Sequence, residues 1–358
     1  MIISRTPFRI SFFGGGTDYP VWYRKNGGCV LSTTINKYCY INCRVLPPFF
    51  EHSLRVVYSK IENQNSFAEI MHPSVRETLR FLGIQTGLEI HHDGDLPARS
   101  GLGSSSAFTV GLLHALYVLK GYSPFKQQLA EESIHIEQEL IKETVGSQDQ
   151  IAAAYGGLNH ICFSRNNEFH VNPLRLSVER KKKLTDHLML FYTGVKRTAS
   201  DVAKSYISDI EARRDQLTAM SELVNESIVI LKSEQDISCF GALLHKAWLL
   251  KRSLSDKVSN SFLNKIYDLA GNNGAIGGKI LGAGGGGFLL LFVPPSLQKR
   301  VRLALNDLIY VPFDIDNSGS RIIFSEPQTE DYSFSHKDRA GRAISSFKEL
   351  SNIKAFGG

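Results

Sequence analysis

Glycine constrains this chain more than any other residue type. There are 30 in 358 residues, and they gather in clusters. Three clusters matter: Gly14-Gly15-Gly16, Gly101-Leu102-Gly103, and a long run ending in Gly284-Gly285-Gly286-Gly287. A residue without a Cβ lets the backbone take left-handed dihedrals and approach a ligand or another chain segment closely. Three such clusters require three tight or crowded loops, and the segments around them say what the loops connect.

The first cluster follows Phe8-Arg9-Ile10-Ser11-Phe12-Phe13, which alternates as a strand does. Further strands are expected over 28–44, 54–59, 88–92, 159–163, 188–192 and 288–293. Helical spacing covers 104–120 and 147–155. A helix over 123–144 is expected between them, with Ser123 as its cap and Pro124 at its first position. Long helical patterns cover about 200–234, 238–254 and 260–271. Helices and strands mix without regular alternation, so an α+β fold is expected. The length predicts two domains, placed at 1–185 and 186–325, with 326–358 as a polar tail or peripheral helix.

Composition excludes several functions. Hydrophobic residues are 42% and charged residues 21%, as in an ordinary globular protein. Forty-one Lys and Arg against 35 Asp and Glu give +6, without the basic stripe and interleaved aromatics of a nucleic-acid binder. The run Arg180-Lys181-Lys182-Lys183 reads as a solvated helix start. The longest apolar run, 288–293, is far short of the ~20 residues that cross a membrane. The N-terminus has no leader pattern, and Cys29, Cys39, Cys43, Cys162 and Cys239 lack CxxC spacing. A reducing cytoplasm is the expected location.

The second cluster sits in Pro97-Ala98-Arg99-Ser100-Gly101-Leu102-Gly103-Ser104-Ser105-Ser106, directly before a helix. Unpaired N–H groups at a helix start and a flexible approach loop form a phosphate cradle. Three serines add hydroxyls for phosphate oxygens or a metal ion. The third cluster contains Gly282-x-Gly284-x-x-Gly287, which matches a dinucleotide fingerprint as a string. A strand rather than a helix follows it, so an oxidoreductase reading fails. The loop instead lets backbone pass close to a ligand or to the second cluster.

Together the segments 9–19, 97–107 and 279–287 resemble the three motifs of the GHMP kinase superfamily, in order. The resemblance implies a two-domain α+β fold with ATP in the interdomain cleft, and Mg²⁺ as the metal. ATP would lie on Pro97, Gly101, Leu102, Gly103, Ser104, Ser105, Ser106, Gly284 and Gly285. Glu137 would hold Mg²⁺ with Ser105, while Asp149, twelve residues later, would be the base or orienter for the acceptor hydroxyl. Arg9 would stabilise charge beside Asp149. Gly15, Gly16, Thr17, Asp18 and Tyr19 would form the sugar pocket. Gly15-Gly16 stand where galactokinases carry Glu-His, which opens space and removes a charge that would repel a second phosphate. That points to phosphorylation at the anomeric hydroxyl of a sugar phosphate, a heptose 7-phosphate on the way to nucleotide-activated heptose and surface polysaccharide. Lys196 and Arg197 are the first choice for its distal phosphate, with Arg24, Lys25, Lys37 and Lys251 as further candidates. Unphosphorylated fucose or galactose is the alternative acceptor, a non-catalytic sugar sensor the remote alternative, and a homodimer is compatible with the chain.

Overall fold

The computed structural model describes residues 1–84, 87–195 and 199–326, and the side chains of 199–201 are not part of that description. Lys196, Arg197 and residues 327–358 of the expected tail therefore lie outside the described residues. Within them, strands and helices build two sheets, which is the α+β class expected.

The first sheet begins with β1 (Ile2–Phe13), which runs into the first glycine cluster. A short helix, α1 (Pro20–Asn26), turns the chain into the long β2 (Gly28–Val45), antiparallel to β1. Then come β3 (Leu54–Val57), β4 (Ile61–Gln64), α2 (Pro73–Leu82) and β5 (Leu88–Gly94). β5 pairs antiparallel with β2 and parallel with β3. Three helices follow: α3 (Ser104–Leu119), α4 (Lys126–His135) and α5 (Gln148–Tyr155). The hairpin β6 (Leu158–Phe163) and β7 (Phe169–Pro173) then pairs along β2.

α3 lies directly on β1. A Cβ on Gly111 would come within 2.8 Å of Thr6 Oγ1, so the small residue sets how closely the helix approaches. The helix expected over 123–144 differs from its expected form. Phe125, in an extended conformation, occupies the N-cap position, and Ser123 makes no cap. After α4 the chain widens into a π-helical turn, Ile136–Leu140, which carries Glu137.

After α6 (Val178–Asp186), which carries the basic run 180–183, β8 (Leu188–Tyr192) opens the second sheet. The pattern expected as one helix over 200–234 divides into α7 (Ala199–Ile207) and α8 (Arg214–Lys232). α9 (Ser238–Arg252), α10 (Ser261–Asn272), β9 (Gly277–Ile280), β10 (Phe288–Phe292), α11 (Gln298–Ala304) and β11 (Ile309–Val311) complete this half. The second sheet is antiparallel throughout, ordered β11-β8-β10-β9. The chain then returns to the first sheet, with β12 (Ile315–Asp316) on β2 and β13 (Arg321–Ser325) on β1. Residues 315–325, counted with the second domain in the sequence reading, thus pair with the first sheet.

Phe240 of α9 links the halves. Its ring meets Phe12 and Phe13 edge-on, with centroids 5.5 and 5.2 Å apart, and tilts against Phe292 of β10 at 5.9 Å. All four are fully buried, so the end of β1 is held against the second sheet where the first glycine cluster begins. Edge-on aromatic pairs add about 1 kcal/mol each beyond their area. Cys39 and Cys43 are buried and all five cysteines are free. Among the described residues no helix is long and apolar enough to cross a membrane.

Two glycine substitutions separate loop crowding from helix propensity. Gly101 has φ +85°, and a Cβ there would lie 2.6 Å from the Leu281 carbonyl oxygen, so Gly101→Ala should cost about 2 kcal/mol or more. Gly271, in α10 with nothing within 4 Å, should gain up to about 1 kcal/mol as alanine. Thermal melts should move in opposite directions.

Candidate functional site

Arg9 leaves β1 near its end and binds in three directions. Its Nε and Nη2 donate to Asp149 Oδ1 and Oδ2 at 2.7 and 2.6 Å, a bidentate pair. Its Nη1 donates to the Gly101 carbonyl at 2.6 Å, and its backbone N–H to the Leu102 carbonyl at 3.0 Å. The Arg9 side chain is 5% exposed and that of Asp149 23%. Asp149 sits in the first turn of α5, and its open side faces the cleft.

The first cluster bends the chain so that Asp18 turns inward. Thr17 Oγ1 donates to the Gly14 carbonyl at 2.8 Å, and the Gly16 N–H donates to Asp18 Oδ1 at 2.8 Å. Gly146 lies against the other oxygen: a Cβ there would be 1.9 Å from Asp18 Oδ2. Burial raises the Asp18 carboxyl above its ordinary range, with Asp149 adding to the rise, against the Gly16 hydrogen bond. Tyr19 stands edge-on to Tyr206 of α7 with centroids 6.5 Å apart. Burial pushes the Tyr19 hydroxyl well above its ordinary value.

The second cluster meets the third. The Gly282 backbone packs on Gly101, where a Cβ on Gly282 would be 2.5 Å from the Gly101 Cα. The Phe288 N–H donates to the Ser100 carbonyl at 3.2 Å. Gly103, at φ +72°, begins α3, and a Cβ there would sit 3.2 Å from Arg9 Cγ and 3.3 Å from Asp149 Oδ2. The cleft is lined by all three clusters, through Gly15, Gly16, Gly101, Gly103 and Gly282 among others, together with Asp18, Asp149 and Arg9.

Several expected residues fall elsewhere. Pro97 is off the cleft, and its carbonyl accepts from Ser100 Oγ at 2.6 Å. Leu102 is buried, and so is Thr17, whose hydroxyl is engaged by Gly14 and by Cys29 of β2. Gly284 and Gly285 fold onto Val258, whose carbonyl accepts the Gly285 N–H at 2.8 Å, so the third cluster lines the cleft through Gly282 and Ala283. Ser104 and Ser105 line the cleft, but the serine on Glu137 is Ser106, whose Oγ donates to Oε2 at 2.9 Å. The serine in direct contact with Glu137 is therefore Ser106, not the Ser105 expected beside it. One helical step turns a side chain by about 100°, which points Ser106 inward and leaves Ser105 exposed.

Glu137 is fully buried, and Gln150 Nε2 also donates to its Oε2, at 2.5 Å. Oε1 has no hydrogen-bond partner. Burial pushes the carboxyl up to about 7, with Glu143 adding to the rise. Glu143 lines the cleft, and burial raises its carboxyl too. A carboxylate with one oxygen unpartnered and the other held by the Ser106 hydroxyl fits Mg²⁺, which takes one or two protein carboxylates and completes its shell with water and phosphate. No cluster of three or more metal-binding side chains occurs among the described residues, and that mode of binding does not need one.

Lys251, Lys279, Tyr206, Glu143 and Gln148 also line the cleft. Of these, only Lys251 was a candidate from sequence, through its charge. Lys279 stood inside the third motif without a role, and the others carry no signal outside the fold.

Two family models match the chain: GHMP kinases N terminal domain over residues 69–157 and GHMP kinases C terminal over 220–310. D-glycero-alpha-D-manno-heptose 7-phosphate kinase of Campylobacter jejuni is 30% identical over 327 residues, covering 85% of this chain and 93% of that protein. A solved D-glycero-D-manno-heptose 1-phosphate kinase from Bacteroides thetaiotaomicron superposes with a TM-score of 0.75 at 22% identity, covering 91% and 100% of the two chains. A putative sugar kinase from Campylobacter jejuni gives 0.67 at 27% identity, covering 90% and 97%.

Glu137 makes a prediction about pH. Its folded carboxyl titrates near 7 and its unfolded one near 4.5. The folded state binds the extra proton, so this contribution to stability is complete below about 4.5 and lost as pH rises to about 7. In metal-free buffer with a chelator, Tm should fall across that window more steeply for the wild type than for Glu137→Gln. Equal slopes would refute a carboxyl raised by burial.

Proposed function

The chain belongs to the GHMP kinase family and is a sugar kinase, and we propose that it moves the terminal phosphoryl group of ATP to the anomeric hydroxyl of D-glycero-D-manno-heptose 7-phosphate, with Mg²⁺. The product is the 1,7-bisphosphate. The observation that carries this reading is the Arg9–Asp149 pair, held at the mouth of the phosphate loop by the Gly101 carbonyl. The 30% identical relative's activity supports the choice of acceptor.

Phosphoryl transfer asks the protein mainly for positioning and charge. The start of α3 offers unpaired N–H groups at Gly103 and Ser104 for phosphate oxygens. Asp149 accepts or orients the proton of the attacking hydroxyl. Arg9 holds that carboxylate in place and offsets charge on the transferring group. Asp18 and Tyr19 face the same cleft and take sugar hydroxyls, while Gly15 and Gly16 leave room without adding a carboxylate. Glu137, with Ser105 or Ser106, would hold Mg²⁺, whose charge would neutralise the phosphates as the bond to the leaving group breaks. The proposed division of labour gives the first sheet and its helices the acceptor and phosphate loops, and gives the second half the closing glycine loop.

The reading is tested by coupled ADP release. Heptose 7-phosphate should turn over well above fucose, galactose and mannose. Asp149→Asn should lose about 10²–10⁴-fold in kcat with ATP affinity nearly unchanged. Full activity in that variant refutes the role of Asp149, and turnover confined to an unphosphorylated sugar replaces the acceptor.

A further inference from the structure

Two lysines in the cleft have no part in these roles. Lys251 ends α9 and Lys279 lies in β9, and close packing joins the two elements: a Cβ on Gly277 would be 2.0 Å from the Gly241 carbonyl oxygen. Both lysines line the cleft beside Arg9, Asp18 and Asp149, yet they are only 6% and 3% exposed. Lys251 Nζ donates to the carbonyls of Ile280, at 3.2 Å, and Gly282. Lys279 Nζ donates to the Phe12 carbonyl at 2.7 Å.

An ammonium has three donors. Three of the six are therefore used, and one on Lys251 and two on Lys279 have no acceptor among the described residues. Nor does either lysine form an ion pair among them; the Asp149 carboxylate is already committed to Arg9. The charged groups facing Lys279 are Lys251 and Arg9, both cationic. Those facing Lys251 are Lys279, Arg9, Asp18 and Asp149. Buried ammonium groups without counter-ions are costly, and latching three carbonyls needs neither two charges nor the spare donors. What completes the set is an anion with several acceptor oxygens, entering from the cleft.

We propose that Lys251 and Lys279 form a phosphate subsite in the cleft wall, which takes a phosphate carried by a bound substrate. The inference rests on the kinase reading for the source of that phosphate: the acceptor's own phosphate or the terminal phosphate of the nucleotide. Burial pulls Lys251 down to about 7 and Lys279 well below its ordinary value, and a phosphate reverses that cost by restoring a counter-charge.

Inorganic phosphate is the first probe, titrated calorimetrically into the wild type, Lys251→Met and Lys279→Met, each checked for a cooperative melt. Phosphate binding should weaken at least tenfold in each variant, and KM for one phosphate-bearing substrate should rise by a similar factor. A rise for heptose 7-phosphate without one for ATP assigns the subsite to the acceptor. A rise for ATP alone assigns it to the nucleotide. Unchanged phosphate binding and unchanged KM values in folded variants overturn the subsite. If the variants do not fold, wild-type crystals grown with inorganic phosphate decide: phosphate on both Nζ atoms supports the subsite, and phosphate on the 101–106 loop alone overturns it. Phosphate binding needs no turnover. Absence of kinase activity would therefore count against the kinase reading and leave this result standing.

Discussion

The guanidinium of Arg9 ties together three segments far apart in the chain. Two of its donors hold both Asp149 oxygens, a third holds the Gly101 carbonyl, and its backbone N–H holds Leu102. A bidentate charged pair is strong and directional. Because Arg9 is almost fully buried, removing either partner strands a charge at a cost that intact pairing avoids. The remaining geometry follows from this contact. A Cβ on Gly103 would crowd both Arg9 and Asp149, and its φ of +72° favours glycine, so α3 starts where that glycine takes its left-handed turn.

The glycine clusters are the means by which this junction closes. The first lets Asp18 fold back against Gly146 and the 146–148 loop, where the Ser147 N–H donates to the Asp18 carbonyl at 2.9 Å. The third lays Gly282 on Gly101 and Gly287 on Ser100 with no side chains between them. The contacts of Gly282 and Gly287 join backbone to backbone, so larger residues there could not be absorbed by a change of rotamer. Phe240, wedged among Phe12, Phe13 and Phe292, supplies the apolar counterpart and sets the end of β1 against the second sheet.

Much of this could be read from the sequence, because it is carried by short segments with local meaning. A strand that ends in glycines, a glycine-serine loop before a helix, and carboxylates at Glu137 and Asp149 are visible without knowing the fold. The phase of α3 is not visible: it decides that Ser106 rather than Ser105 meets Glu137, and it depends on where Gly103 turns. Nor is the π turn at 136–140, since a widened turn leaves the apolar pattern almost unchanged. Tyr206 and Glu143 reach the cleft through tertiary contacts alone. Strands β12 and β13 are only two and five residues long, too short to declare the sheet they join. At Gly284 and Gly285 a motif position invites a ligand role, while the fold packs their backbone on Val258.

Phosphoryl transfer to the anomeric oxygen in this cleft is the central proposal. ³¹P and ¹³C NMR of the product formed from ATP and heptose 7-phosphate tests this most directly. The expected result is a new phosphorus signal coupled to the anomeric carbon, with the original phosphate still in place. A phosphate on any other hydroxyl, or inorganic phosphate released without a sugar product, would contradict it.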